Sequence, residues 1–179
     1  SIRERTTEGI SYIPEDRQNY GLVMDFTLSE NLALRNYYKE PFCHKGVLDQ
    51  KIFEDNSEKL IEKYDIRSGQ GSKTVVRSMS GGNQQKVILG RWLMTEPDFL
   101  ILDEPTRGID VGTKTEIQKL VVKLANEGMS VVFISSEVEE MLRTVTHMGI
   151  LRDGEKVGEL EESELSQENV MKAIAGGDK

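Results

Sequence analysis

The 179-residue sequence is short of several residue types, and each shortage excludes something. Cys43 is the single cysteine, so no disulfide can form within the chain, which fits a reducing compartment. Positive charge is scarce: 23 Lys and Arg stand against 31 Asp and Glu, a formal charge of −8. A nucleic-acid groove needs a basic surface, so no nucleic-acid partner is expected. The apolar runs, Phe99 to Leu102 and Val131 to Ile134, fall far short of the about 20 residues that span a bilayer, and no signal peptide is visible. Any service to a membrane must therefore run through a partner. A phosphate-binding loop of the form G-x-x-x-x-G-K-[ST] is missing as well. Neither Gly71-Ser72-Lys73-Thr74 nor Gly112-Thr113-Lys114-Thr115 has the adjacent Gly-Lys.

What is present alternates in type along the chain. The sequence opens on Ser1, and a strand follows at Gly9 to Ile13. Ser29 to Tyr38 has a helical pattern, and Ile52, Phe53, Leu60, Ile61 and Tyr64 share helical spacing behind Asp49, a candidate N-cap. Pro41 to Gly46 reads as a loop and Arg67 to Ser78 as a polar surface connection. A helix is expected from Ser80 to about Met94, stopped before Pro97. Apolar strands at Phe99 to Leu102, Val131 to Ile134 and Met148 to Leu151 then alternate with helical stripes, and Asp153-Gly154 turns the last strand into a hairpin with Val157 to Leu160. A last helix is expected at Ser166 to Ala175. Apolar strands alternating with helices predict a parallel α/β sheet covered on both faces.

Two constellations carry chemistry. Asp103 and Glu104 directly follow an apolar strand, and the carboxyl ends of parallel strands are where α/β proteins place ligands. One carboxylate there can hold Mg²⁺ and the next can deprotonate an attacking water; an acidic strand exit is the plain alternative. Ser80-Gly81-Gly82-Asn83-Gln84 opens a helix, where free N–H groups and the positive end of the dipole suit a phosphate. A serine N-cap with a flexible entry is the plain reading of that segment.

Taken in order, these motifs resemble those of ABC-transporter ATPases. Met79 to Gln84 is similar to the family's signature motif, with Asn83 in place of its usual Gln; Phe99 to Glu104 resembles Walker B; Arg107-Gly108-Ile109-Asp110 resembles the D-loop; and Thr27 to Leu32 resembles the stretch beyond the Q-loop. Glu15 stands where the Q-loop glutamine is expected, and Ser136 where the switch histidine is expected. His44 and His147 do not replace that histidine, one lying in a loop and the other before a strand. With Pro-Glu-Asp-Arg at 14–17 and Ser-Ser-Glu at 135–137, the pattern resembles the C-terminal cassette of the tandem ATPases of bacterial monosaccharide importers, the ribose, galactose and xylose type.

The resemblance implies a P-loop NTPase-like parallel sheet with an inserted helical subdomain, the part carrying the P-loop lying upstream of Ser1. It divides the chain into a partial ATPase core with the Q-loop region (1–29), a helical subdomain ending in the signature helix (30–95) and the remaining α/β core (96–179). It implies ATP and Mg²⁺ as cofactors, with Glu104 as general base, Asp103 and Glu15 at the metal, Asp110 at the cassette interface and Ser136 at a weakened switch. Ser80, Gly81, Gly82, Asn83 and Gln84 would contact ATP held by a partner cassette, in trans, while Gly82 stays exposed in the open state. Glu15 and the stretch Tyr20 to Phe26 would face membrane permease subunits on the cytoplasmic face of the plasma membrane; core packing is the plain reading of Tyr20, Leu22, Val23 and Phe26. A periplasmic or surface sugar-binding protein would take part indirectly. A nucleoside importer, a non-catalytic dimerisation half and a soluble ABC-type ATPase remain as alternatives.

Overall fold

The structure, a computed structural model, describes residues 2–176. Ser1, on which the sequence opens, lies outside them. A short helix α1 (Ile2–Thr7) leads into β1 (Ile10–Ile13). The helical region follows: α2 (Leu28–Ala33), a two-stranded ribbon of β2 (Cys43–His44) and β3 (Val47–Leu48), α3 (Gln50–Lys63) and α4 (Gly81–Leu93). Then come β4 (Phe99–Asp103), α5 (Val111–Asn126), β5 (Ser130–Ile134), α6 (Val138–Thr144), β6 (His147–Arg152), β7 (Glu155–Glu161) and α7 (Gln167–Ala175).

β1, β4 and β5 form a parallel sheet in the order β1-β4-β5, with Ile13 opposite Leu102 and Leu102 opposite Phe133. This register lines up the carboxyl ends of three strands that are far apart in sequence. β6 and β7 pair antiparallel in a separate hairpin, so the strand expected at Met148 to Leu151 does not extend the parallel sheet. His147 is the first residue of that strand rather than a residue before it, and His44 lies in β2.

The expectation of a sheet covered on both faces is corrected. Exposure alternates along the strands, so one face is buried under helices and the other is open: Tyr12, Val132 and Ile134 are 45, 41 and 44% exposed. The buried face contributes Ile13, Leu100, Leu102 and Phe133 to one continuous core with Leu28, Leu32, Leu60, Val87, Ile88, Leu89, Trp92, Ile117 and Val121. The sheet and the helical region therefore share a core, and α4 is the seam between them.

Local sequence explains the element ends. Asp49 caps α3 by accepting from the Ile52 amide at 3.1 Å, and Ser80 caps α4 from the Asn83 amide. α2 stops at Ala33 rather than near Tyr38, because the following residues turn and the buried Asn36 donates to the Met94 carbonyl at the end of α4 (3.2 Å). The segment 67–78 is a surface connection with three residues anchored inward. Ser72, Thr74 and Val76 are buried, and Val75 bridges to Thr27.

Candidate active site

Asp103 is the last residue of β4, and Glu104 follows it in the left-handed region at φ +44°. Such a backbone costs about 1–3 kcal/mol in a non-glycine residue, and persists only where the surroundings hold it. Here the Glu104 amide donates to the Ile134 carbonyl (2.9 Å), and its carbonyl accepts from the Arg107 amide (3.1 Å). Glu104 Oε1 accepts from the Ser136 backbone N–H at 2.8 Å. The ends of β4 and β5 thus converge on one carboxylate, whose other oxygen makes no hydrogen bond among the described residues. On the other side of β4, Tyr12 donates its hydroxyl to Asp103 Oδ2 at 2.8 Å. This bond to the carboxylate, followed by burial and by the negative charge, holds the Tyr12 phenol above its usual pKa.

The donor set suits a hard cation that keeps most of its shell as water and phosphate oxygens: Asp103 offers one carboxylate at a strand end, with Oδ1 uncommitted. Glu15, the other residue expected at the metal, is ion-paired with Arg107, and no group of three or more His, Cys, Asp or Glu residues among the described residues is arranged to hold a metal ion.

At the signature segment, the amides of Gly81 and Gly82 make no hydrogen bond among the described residues, as expected of a helix's first turn. Ser80 is exposed, and its hydroxyl accepts from Asn83 Nδ2 at 2.9 Å. Asn83 Oδ1 accepts in turn from the Arg67 amide (2.8 Å). Two expectations are corrected at this helix. Gln84 does not face outward with the others: it is 3% exposed, and its Nε2 donates to the Val76 and Met79 carbonyls. Gly82 is buried rather than exposed, because α5 lies directly against it; a Cβ there would come within 2.6 Å of Thr113 Cγ2.

Arg17 joins three of the motifs. Its Nη1 donates to the Arg107 carbonyl (2.7 Å) and its Nη2 to the Gly108 carbonyl (3.3 Å), while the Nη2 end passes so close to Gly81 that a Cβ would lie 2.7 Å away. Asp110 caps α5, accepting from the Thr113 amide (2.9 Å) and hydroxyl (2.8 Å), and these bonds hold its carboxyl below the usual range. In the stretch after Arg17, Leu22 is buried in the core while Tyr20, Val23 and Phe26 are exposed, so the core-packing reading holds for Leu22 and not for the other three. Tyr12 and Arg17 were not singled out from the sequence. Both act across about 90 residues of chain, and their only local signal is the flanking of Pro14-Glu15-Asp16 by an aromatic and a basic residue.

A parallel sheet with paired carboxylates at the carboxyl end of its middle strand, and helices packed on its buried face, fits the P-loop NTPase-like α/β class. The sequence pattern of the ABC transporter family matches residues 1–107, and the chain belongs to that family. It is 41% identical over 170 residues to the ribose import ATP-binding protein RbsA of Lactococcus lactis subsp. lactis (strain IL1403), covering 95% of this chain and 34% of that protein. It is 37% identical over 177 residues to a putative ribose/galactose/methyl galactoside import ATP-binding protein of Rhizobium etli, covering 99% of this chain and 33% of that protein. The chain thus spans about a third of the length of these curated relatives. Among solved structures, a dimeric post-hydrolysis state of an ATP-binding cassette bound to ADP and Pi superimposes with a TM-score of 0.70 at 21% identity, over 90% of this chain and 67% of that one. No helix among the described residues is long and apolar enough to cross a membrane.

Proposed function

We propose that this chain serves as the ATP-hydrolysing, energy-coupling part of a bacterial importer for monosaccharides, acting beside permease subunits at the cytoplasmic face of the membrane. The observation that carries the reading is Glu104, held in a strained backbone at a strand end with one carboxylate oxygen fixed by the Ser136 amide and the other free. The free oxygen is placed to take a proton from an attacking water, the role of a general base. Mg-ATP, when bound, supplies the phosphoryl group and the cation that neutralises its charge. Asp103 would hold that cation, with Tyr12 fixing the rotamer of its carboxylate. Ser80 and the amides of Gly81 and Gly82 would meet a phosphate bound by a partner cassette, since a helix N-terminus with unpaired amides attracts an anion. Asp110 would sit at the edge of that same interface.

Ser136 has no imidazole to offer a γ-phosphate; its backbone amide serves Glu104 instead. The site built on this cassette is therefore the slower of the two in a two-cassette protein. Sugar rather than nucleoside transport is favoured by the names of the relatives that share about two-fifths of the sequence. Uptake of radiolabelled ribose, galactose and nucleosides by cells with and without the intact gene tests the reading. Loss of ATP-dependent monosaccharide uptake is expected, and loss of nucleoside uptake alone would contradict it.

A further inference from the structure

Glu140 is the only fully buried carboxylate among the described residues, 3% exposed, and no cation pairs with it. A buried carboxyl is costly unless its oxygens are well satisfied. Three side chains from three different segments do this. Thr106 Oγ1 donates to Oε1 at 2.5 Å, Gln118 Nε2 donates to Oε1 at 3.0 Å, and Ser135 Oγ donates to Oε2 at 2.6 Å. Packing alone would be served by an apolar residue at this point of α6, where Val138, Met141 and Leu142 already face apolar clusters.

The position of the donors gives the carboxylate its meaning. Thr106 is two residues beyond Glu104, on the loop that leaves β4. Ser135 immediately precedes Ser136, whose amide holds Glu104 Oε1, on the loop that leaves β5. Ser135 Oγ also accepts from the Glu137 amide (3.1 Å), which fixes the course of the chain on the far side of Ser136. Gln118 ties the same carboxylate to α5, the helix capped by Asp110.

We infer that Glu140 is a positioning residue for the proposed hydrolysis: by clamping both loops it sets the approach of the Ser136 amide to Glu104. The inference rests on the reading of Glu104 as general base, and neither oxygen of Glu140 need touch the nucleotide. Glu140→Leu keeps roughly the volume and removes every acceptor, whereas in Glu140→Gln the N–H₂ could still donate to the Ser135 or Thr106 hydroxyl and keep the clamp. In Glu140→Leu both loops lose their hold, and Glu104 loses the fixed oxygen.

The test uses the full two-cassette protein with the general base of the other cassette changed to glutamine, so that turnover reports on this site. Glu140→Leu is expected to lower kcat for ATP about tenfold, the scale of a small misplacement of a catalytic group, with KM for ATP within about twofold of the parent. Combined with Glu104→Gln, it is expected to add no further loss, which a merely structural role would not produce. If Glu140→Leu does not fold, Ser135→Ala removes one arm of the clamp and is expected to give the same split and the same non-additivity. A kcat within about twofold of the parent, while Glu104→Gln lowers turnover at least about tenfold, overturns the inference. Unchanged turnover in Glu104→Gln itself would instead remove the assignment of the general base, and the inference with it.

Discussion

The backbone amide of Ser136 lies 2.8 Å from Oε1 of Glu104, the proposed general base, joining the ends of two neighbouring parallel strands. The contact needs no side chain from residue 136, where the family pattern has histidine. Glu104→Gln in the two-cassette protein is expected to lower ATP turnover, but less than the same change in the first cassette. Steady-state hydrolysis by the two single variants checks this, and equal losses would contradict the asymmetry.

Gly82 is where bulk matters most. Thr113 Cγ2, Oγ1 and Cβ lie 2.6, 2.8 and 2.9 Å from where a Cβ would stand. Gly82→Ala is expected to destabilise the fold by about 1–3 kcal/mol through overpacking. Thr113→Ala, which removes two of the three opposing atoms, should recover part of that loss; denaturant unfolding of the single and double variants measures it. No loss in Gly82→Ala would mean that α4 and α5 are free to part.

Arg17 holds the D-loop carbonyls of Arg107 and Gly108 beside the signature helix. Arg17→Met should destabilise by roughly 1 kcal/mol and increase amide hydrogen exchange in 106–109. Lysine, with one nitrogen in place of a fork, should restore only part of the protection. Exchange followed by mass spectrometry gives the answer, and unchanged protection in Arg17→Met would refute the link.

Much of this architecture could be read from the sequence because it is encoded locally. Phe99 to Leu102 followed by Asp-Glu marks both a strand and the end that carries the paired carboxylates, and Asp49 and Ser80 announce the helices they cap. What was not legible depends on meetings across the chain. Gly82 looks like a flexible entry until α5 is laid against it, and Gln84 looks phosphate-facing until the segment 76–79 offers it two carbonyls. The open face of the sheet is hidden in sequence because Val132 and Ile134 are as apolar as Val131 and Phe133. Glu140 reads as one more acid in an acidic helix start, and only the fold buries it.

His147 on the terminal hairpin lies between Glu161 (3.2 Å) and Glu159 (2.8 Å), and its bonds to Glu161, then Glu159, raise its pKa above the usual 6.5. A raised folded-state value means that the imidazolium's contribution is complete below 6.5 and is lost as pH rises through the higher folded value. The melting temperature of the parent minus that of His147→Gln should therefore shrink as pH rises from below 6.5 into the alkaline range. A difference that grows over that range would contradict the assignment. The effect should be small, because the pair is solvent-exposed.

Ser80 offers the most direct test of the proposal that this chain completes a partner's ATP site. Aspartate caps a helix as well as serine does, so Ser80→Asp should leave α4 and the melting temperature of the protein intact. It also sets a negative charge where the partner's phosphate must approach. The measurement is ATP turnover by the two-cassette protein carrying Ser80→Asp, with the melting temperature recorded alongside. The account predicts an unchanged melting temperature and turnover reduced at least about tenfold, the scale of losing one transition-state contact; turnover near that of the parent would contradict it.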